Sequence, residues 1–338
     1  MFAVSEIIYS PEEIRRKIQI AEHPDGSTVS CFSNPTGEIR STVYKPFPGA
    51  ALVYKDVHIP QFITNWRYGP VRALAIEYCL EGRLECQVGD DCLYVAPGDI
   101  IFFRTDPNLR VLHYPGSHYH AVTLMIYPDE PSPVLDLHLG MAGFSADQLS
   151  ETYLPDGRYY SVLSRTEMLS DLFRSIVHMP DSVIHMYYGI KILEALILLA
   201  AKIPGINENP AHRVPRHQAE MAKNVYAYVM VHPEERYSID DLAEQFSISP
   251  TQLKKYFNIV YGIPMQKFIR EQKMRAAAEI LGTTDRKVTE VAQMFGYTNT
   301  SKFAAAFKSV MGEHPKQYSL CSNTVSEKEL QKTSDRDG

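Results

Sequence analysis

The stretch SISPTQLKKYFN gathers Thr251, Gln252, Lys254, Lys255 and Asn258 on one side of a helical repeat, with Leu253 and Phe257 on the other. Hydroxyl, amide and ammonium groups so placed suit hydrogen bonds to base edges and charge-assisted contacts to phosphates in a DNA major groove. A second candidate chemistry lies in His118-Tyr119-His120. Two imidazoles alternating along a strand share a face and could ligate a metal or a small molecule. No carboxylate follows within four residues, and the next acids are Asp129 and Glu130. The expected reading is therefore a satisfied or solvent-facing pair, with no metal assigned and no cofactor. Trp66, Arg67, Tyr78 and Arg104 join His118 and His120 as side chains able to hold a small organic effector, chosen by residue type alone.

The five cysteines are odd in number and form no CxxC pair, which argues against a disulfide framework and a thiolate zinc site. Cys79, Cys86 and Cys92 fall in expected strands, where a buried thiol acts as a small hydrophobe. The opening MFAVSEIIYSPEEIRRK has no apolar core of the kind a signal peptide needs. The most apolar run, IKILEALILLAAKI, is interrupted by Lys191 and Glu194 and is too short for a bilayer. A cytoplasmic chain without membrane contact is expected. Net charge is -6, spread unevenly: -8 over residues 1–214 and +3 over 215–320. A basic segment on an acidic chain is where a phosphate-binding surface is sought.

These residues need elements to position them. From about Ala50 to Tyr127 the chain alternates as strands do, RALAIEYCL placing Leu74, Ile76, Tyr78 and Leu80 on one face. Turns at Glu81-Gly82, Gly89-Asp90-Asp91 and Pro97-Gly98-Asp99 separate short strands, as in a small β-barrel or sandwich. Residues 166–178 and 183–203 then read as two helices, and the polar, proline-bearing 204–217 as a linker. Residues 218–320 are helical throughout, and 321–338 form a polar tail expected to be disordered.

The helical part repeats itself. Leu242, Ala243, Phe246, Ser247 and Ile248 match Val291, Ala292, Phe295, Gly296 and Tyr297 at an offset of 49. One extra residue enters the second turn, and Leu253, Phe257, Gly262 and Phe268 match Phe303, Phe307, Gly312 and Tyr318 at an offset of 50. Each copy reads as a helix-turn-helix: a small residue at the helix crossing, another at the turn, and apolar residues four apart on the second helix. Ser249-Pro250 and Asn299 are helix-start signals.

With SISPTQLKKYFNIVYGIPMQKFIREQKMRAAAEIL followed by VTEVAQMFGYTNTSKFAAAFKSVMGEHPKQY, residues 218–318 resemble the AraC/XylS family of bacterial transcription regulators. The resemblance implies two modules entering successive major grooves, with the long helix REQKMRAAAEIL setting their separation. It implies first-module DNA contacts from Thr251, Gln252, Lys254 and Lys255, and second-module contacts from Thr300, Ser301 and Lys302. Ala304 and Ala305 stand where many relatives carry polar or basic residues, so the second module should lean on Asn299 to Lys302 and on Lys308. The family usually places a sensing or dimerising domain first, and EYCLEGRLECQVGDDCLYVAPGDIIFFRTD resembles its cupin-like barrel.

The expected architecture is α+β. A cupin-like, effector-sensing β-barrel (1–165) precedes a helical dimerisation or relay segment (166–203), a linker (204–217), an all-α domain of two helix-turn-helix modules joined by a long helix (218–320) and a tail (321–338). The expected function is sequence-specific, effector-responsive regulation of transcription, without catalysis. Promoter DNA, a small-molecule effector, a second copy of the chain and, for an activator, RNA polymerase are the partners. The competing readings are a cupin-type metalloenzyme with a helical accessory domain and a purely architectural DNA binder.

Overall fold

The structure, a computed structural model, describes residues 8–9, 13, 16–64, 72–88, 90–104, 111–155, 160–163, 167–176, 179–201, 213–235 and 237–318. The chain divides into two compact units, Met1–Arg216 with Val260–Gly262 and His217–Ile259 with Ile263–Gly338. It is α+β, with antiparallel sheets in the first unit and helices throughout the second.

The strands of the first unit, among the described residues, are β1 (Ile8–Tyr9), β2 (Gln19–Glu22), β3 (Thr28–Asn34), β4 (Gly37–Phe47), β5 (Ala50–Val57), β6 (Gln61–Thr64), β7 (Leu74–Gly82), β8 (Leu84–Val88), β9 (Asp91–Val95), β10 (Ile100–Arg104), β11 (Val111–His113), β12 (Tyr119–Ile126), β13 (Tyr160–Leu163) and β14 (Arg213–Pro215). They form one sheet in the order β13-β10-β7-β12-β5-β4-β3-β2 and another in the order β1-β6-β11-β8-β9-β14. Only the β1–β6 pairing among these is parallel. β2, at the end of the larger sheet, is exposed along its whole length, and its Ile20 is 69% accessible.

Side-chain alternation divides the core in two. On β12, Tyr119 and Ala121 join Val57, Cys79, Leu84, Cys86 and Val95 in a cluster drawn from both sheets. Val122, Leu124 and Ile126 of the same strand point the other way, toward a cluster roofed by helices. Those helices are α1 (Pro133–Met141), α2 (Ala146–Tyr153), α3 (Glu167–Ser175) and α4 (Asp181–Ala200). The apolar run expected to be too short for a bilayer lies mostly within α4, whose 20 residues are long and apolar enough to cross one by length and composition alone. In the structure Ile184, Tyr188, Ile192, Leu196 and Leu199 bury its inner side in the helix-roofed core. α1 and α2 were not anticipated, although their caps are written locally. Ser132 precedes a proline at the first helical position, and Ser145 forms a capping box with Gln148.

Of the expected linker 204–217, residues 204–212 lie outside the described residues, as does the expected tail. The linker's end is regular structure: β14 pairs with β9, Val214 opposite Cys92, and Val214 is fully buried. Val214 lies between Arg213 and Pro215, and a proline in a three-residue strand is tolerated at a sheet edge, where β14 lies.

The second unit contains most of α5 (Arg216–Val231) and α7 (Pro250–Tyr261), together with α6 (Ile239–Gln245), α8 (Met265–Thr283), α9 (Val288–Met294) and α10 (Thr300–Met311). α8 separates the two copies of the repeat. Its 19 residues span about 28 Å at 1.5 Å per residue. Its Met274, Ala277, Ala278 and Leu281 pack with Val291, Ala292, Phe295, Phe303 and Phe307 of the second copy.

Candidate nucleic-acid interface

α6 starts at a capping box in which Ser238 accepts from the Asp241 amide and the Asp241 carboxylate accepts from the Ser238 amide. It ends at Phe246, whose amide donates to the Leu242 carbonyl at 3.0 Å. Ser247 then takes a φ of 54°, and the Ile248 amide returns to the Ala243 carbonyl at 2.9 Å. With the Ser247 amide donating to the Glu244 carbonyl at 3.1 Å, this left-handed residue and return bond form a Schellman motif, which stops the helix and reverses the chain. Ser249 caps α7 by accepting from the Gln252 amide at 3.3 Å, and Pro250 occupies its first position.

The second copy repeats this bond for bond. Phe295 donates to Val291 at 3.2 Å, Gly296 has a φ of 84°, and Tyr297 returns to Ala292 at 2.9 Å. After one additional residue, Thr298, Asn299 caps α10 through Oδ1, which accepts from the Ser301 and Lys302 amides at 2.8 and 3.1 Å. The Leu253 amide bonds the Ser249 carbonyl at 2.9 Å, and the Phe303 amide bonds that of Asn299 at 3.1 Å. The inserted residue is absorbed before the cap, so both second helices begin in the same phase. Leu253 and Phe257 are fully buried in one copy, Phe303 and Phe307 in the other.

Phase matching fixes which surface residues correspond. Thr251 aligns with Ser301, Gln252 with Lys302, Lys254 and Lys255 with Ala304 and Ala305, and Asn258 with Lys308. Thr251, Gln252, Lys254, Lys255 and Asn258 are exposed, as are Asn299, Thr300, Ser301, Lys302 and Lys308. Two of them are partly engaged already: Gln252 Oε1 accepts from the Ser249 hydroxyl at 3.1 Å, and Asn299 Oδ1 serves the cap. Lys254, Lys255 and Asn258 line a groove of about 440 Å³ with Met265 and Gln266. A neighbouring groove of about 450 Å³ is lined by Lys254, Arg270, Lys273, Tyr237, Gly296 and Tyr297. Arg270 and Lys273 were not foreseen as part of this surface. Their three-residue spacing on α8 was a usable signal. From Pro250 to Leu320 the sequence holds eleven basic and five acidic residues, so the positive balance concentrates around α7, α8 and α10.

The effector candidates of the first unit are brought together only in part. Trp66 and Arg67 lie outside the described residues. Tyr78 is 4% exposed and stacks on Phe173 with ring centres 4.9 Å apart. Arg104 donates to the Leu154 carbonyl at 2.6 Å and stands opposite Leu74, at the start of β7. His120 stands opposite Glu81, near the end of β7. Seven residues of strand separate those positions, roughly 23 Å. His118 and His120 are adjacent, with ring centres 4.4 Å apart, and His58 joins them at 5.5 and 5.4 Å. Burial pushes the Cys86 thiol up to about 12, so it stays protonated and acts as core.

Residues 242–320 match the family model described as a helix-turn-helix domain. The HTH-type transcriptional activator AarP of Providencia stuartii is 26% identical over 103 residues, covering 30% of this chain and 76% of that protein. The Msm operon regulatory protein of Streptococcus mutans is 20% identical over 250 residues, 72% of this chain and 82% of that one. Among solved structures, the C-terminal domain of AraT, a response regulator from Geobacillus stearothermophilus, is 27% identical with a TM-score of 0.29. That match covers 30% of this chain and 84% of that one. Both relatives are named for regulation, one as a transcriptional activator and the other as an operon regulatory protein.

Proposed function

Since residues 242–320 are a helix-turn-helix domain of the AraC type, we propose that this DNA-binding transcription regulator is sequence-specific and responds to a small molecule through its first unit. The observation that carries the DNA reading is the matched pair of turns, which presents two polar helix faces in one phase. Thr251, Gln252, Lys254, Lys255 and Asn258 form the first contact set, and Asn299, Thr300, Ser301, Lys302 and Lys308 the second. The first set holds both lysines of the adjacent pair and so dominates sequence choice. The protein works in the cytoplasm, with promoter DNA as its partner and RNA polymerase as a further one if it activates.

The paired sheets of the first unit suit a cupin-like sensing domain, which would bias DNA binding only through contacts that differ between two arrangements. The exposed Met186, Ile190 and Ile197 of α4 support dimerisation through that helix.

The test is recovery of sheared genomic DNA on the full chain at rising salt, followed by sequencing. A few fragments sharing one motif are expected, and uniform recovery would contradict sequence specificity. On such a fragment, Lys254→Ala with Lys255→Ala should reduce the slope of log affinity against log salt by about 2. Unchanged specific binding by that double variant would refute the contact assignment.

A further inference from the structure

We propose that His58, His118 and His120, together with Asp56 and Glu81, form a binding site for a borderline divalent transition metal of the zinc, cobalt or nickel class. The proposal stands on the larger sheet and does not depend on the reading of the second unit.

Register builds the site. β5, β12 and β7 are neighbours, and Asp56, His120 and Glu81 occupy one cross-strand row: His120 is opposite Asp56 on one side and opposite Glu81 on the other. His118 lies two residues before His120, and His58 two residues after Asp56, so both fall one row along on the same face. Tyr119 and Val57, the residues in between, point into the core between the sheets. The histidines are therefore on the opposite face, that of Val122 and Leu124, and they remain partly exposed at its end. The irregularity between His120 and Ala121 in the β12–β7 pairing lies beside this row, as bulges often do where a strand re-aims a side chain.

The polar atoms converge in a way hydrogen bonding alone leaves unsatisfied. One ligand atom from each histidine lies within 4.8 Å of the other two. Asp56 Oδ1 is 2.7 Å from His58 Nε2 and 2.6 Å from His120 Nε2. Yet Asp56 Oδ1 and His120 Nε2 are both buried, and neither has a partner in hydrogen-bond geometry. Glu81 Oε2 lies 3.1 Å from His118 Nε2 and 3.9 Å from His120 Nδ1. His118 Nε2 is hydrogen-bonded to Glu81, which leaves its Nδ1 for a cation, while Asp56 Oδ1 and His120 Nε2 are held close without bonding each other, as ligands of a shared cation would be. Bonds of about 2.0–2.1 Å to zinc would place the nitrogens roughly 3.3 Å apart, which requires each ring to move inward by about an ångström. Glu81 is placed to orient an imidazole from behind, as carboxylates do around metal-bound histidines. An imidazole-rich set selects zinc, cobalt, nickel or copper over magnesium and calcium, which prefer oxygen.

The experiment uses the untagged full chain, stripped with a chelator and desalted, at pH 7.5. Co²⁺ binding is followed by its visible ligand-field absorption, and Zn²⁺ binding by competition with a chromogenic chelator. One ion per chain is expected, displaced by Zn²⁺ and indifferent to excess Mg²⁺. His118→Ala with His120→Ala should weaken binding by about 100-fold or more, and Glu81→Gln by about tenfold. His58→Ala changes a solvent-facing residue that follows β5, and it should lose binding while keeping the wild-type melting curve. No saturable binding, equal competition by Mg²⁺, or full binding by His58→Ala and the double variant would each overturn the proposal.

Discussion

Glu77 is 2% exposed and carries its charge inside the first unit. Burial alone pushes its carboxyl up; the Lys55 ammonium and hydrogen bonds from Thr123 at 2.6 Å and Tyr119 at 2.7 Å outweigh that and hold it below the ordinary value of 4.5. A carboxylate depressed in the folded state stabilises fully above its unfolded value, and the contribution disappears as pH falls through the folded one. Urea midpoints should therefore drop more steeply below about pH 4.5 in the wild type than in Glu77→Gln. Lys55→Met, which leaves the carboxylate without its cation, should cost about 3 kcal/mol at pH 7 in the same assay. At this scale the sequence shows Glu77 as a lone acid in an apolar strand and no more. Its partners are 22, 42 and 46 residues away, and only strand register brings them to it. The same limit hid His58 and Asp56 from the legible His118–His120 pair.

Turns, in contrast, are local, and so the repeat was readable almost completely. Small residues, caps and apolar spacing all act within a few positions of where they are written. Ser247 and Gly296 hold equivalent left-handed turns at φ of 54° and 84°. A side chain is thus tolerated at this position but strained, and Gly296→Ala should destabilise the second unit by about 1–2 kcal/mol in chemical denaturation. Phe307→Ala, which empties a fully buried site under α8, should cost about 3–5 kcal/mol. The pairing of Lys254 and Lys255 with Ala304 and Ala305 carries a prediction about DNA. Base-pair changes in the part of the operator read by the first module should cost about 1–3 kcal/mol each, and changes read by the second distinctly less. Saturation mutagenesis of a recovered operator measures both.

Across the whole chain, charge is partitioned: -8 over residues 1–214 and +3 over 215–320. Non-specific DNA affinity should be higher for residues 217–338 alone than for the full chain at low salt, with the difference fading as the Debye length shrinks. Parallel filter-binding curves at several salt concentrations would show it. The change from strand to helix periodicity was plain in the sequence, and the expected start of the helical domain at residue 218 lies next to the division between the units, whereas the strand that precedes it was not legible. The division falls at Arg216, directly after a three-residue strand whose pairing with β9 bridges more than 110 positions. A further consequence follows from β2, whose exposed Ile20 sits on the outer strand of the larger sheet. In concentrated stock such an edge is a template on which another chain can lay a strand, so storage life should be governed there rather than by melting of the core. Light scattering of aged samples should then grow more slowly for Ile20→Lys, at an unchanged melting temperature.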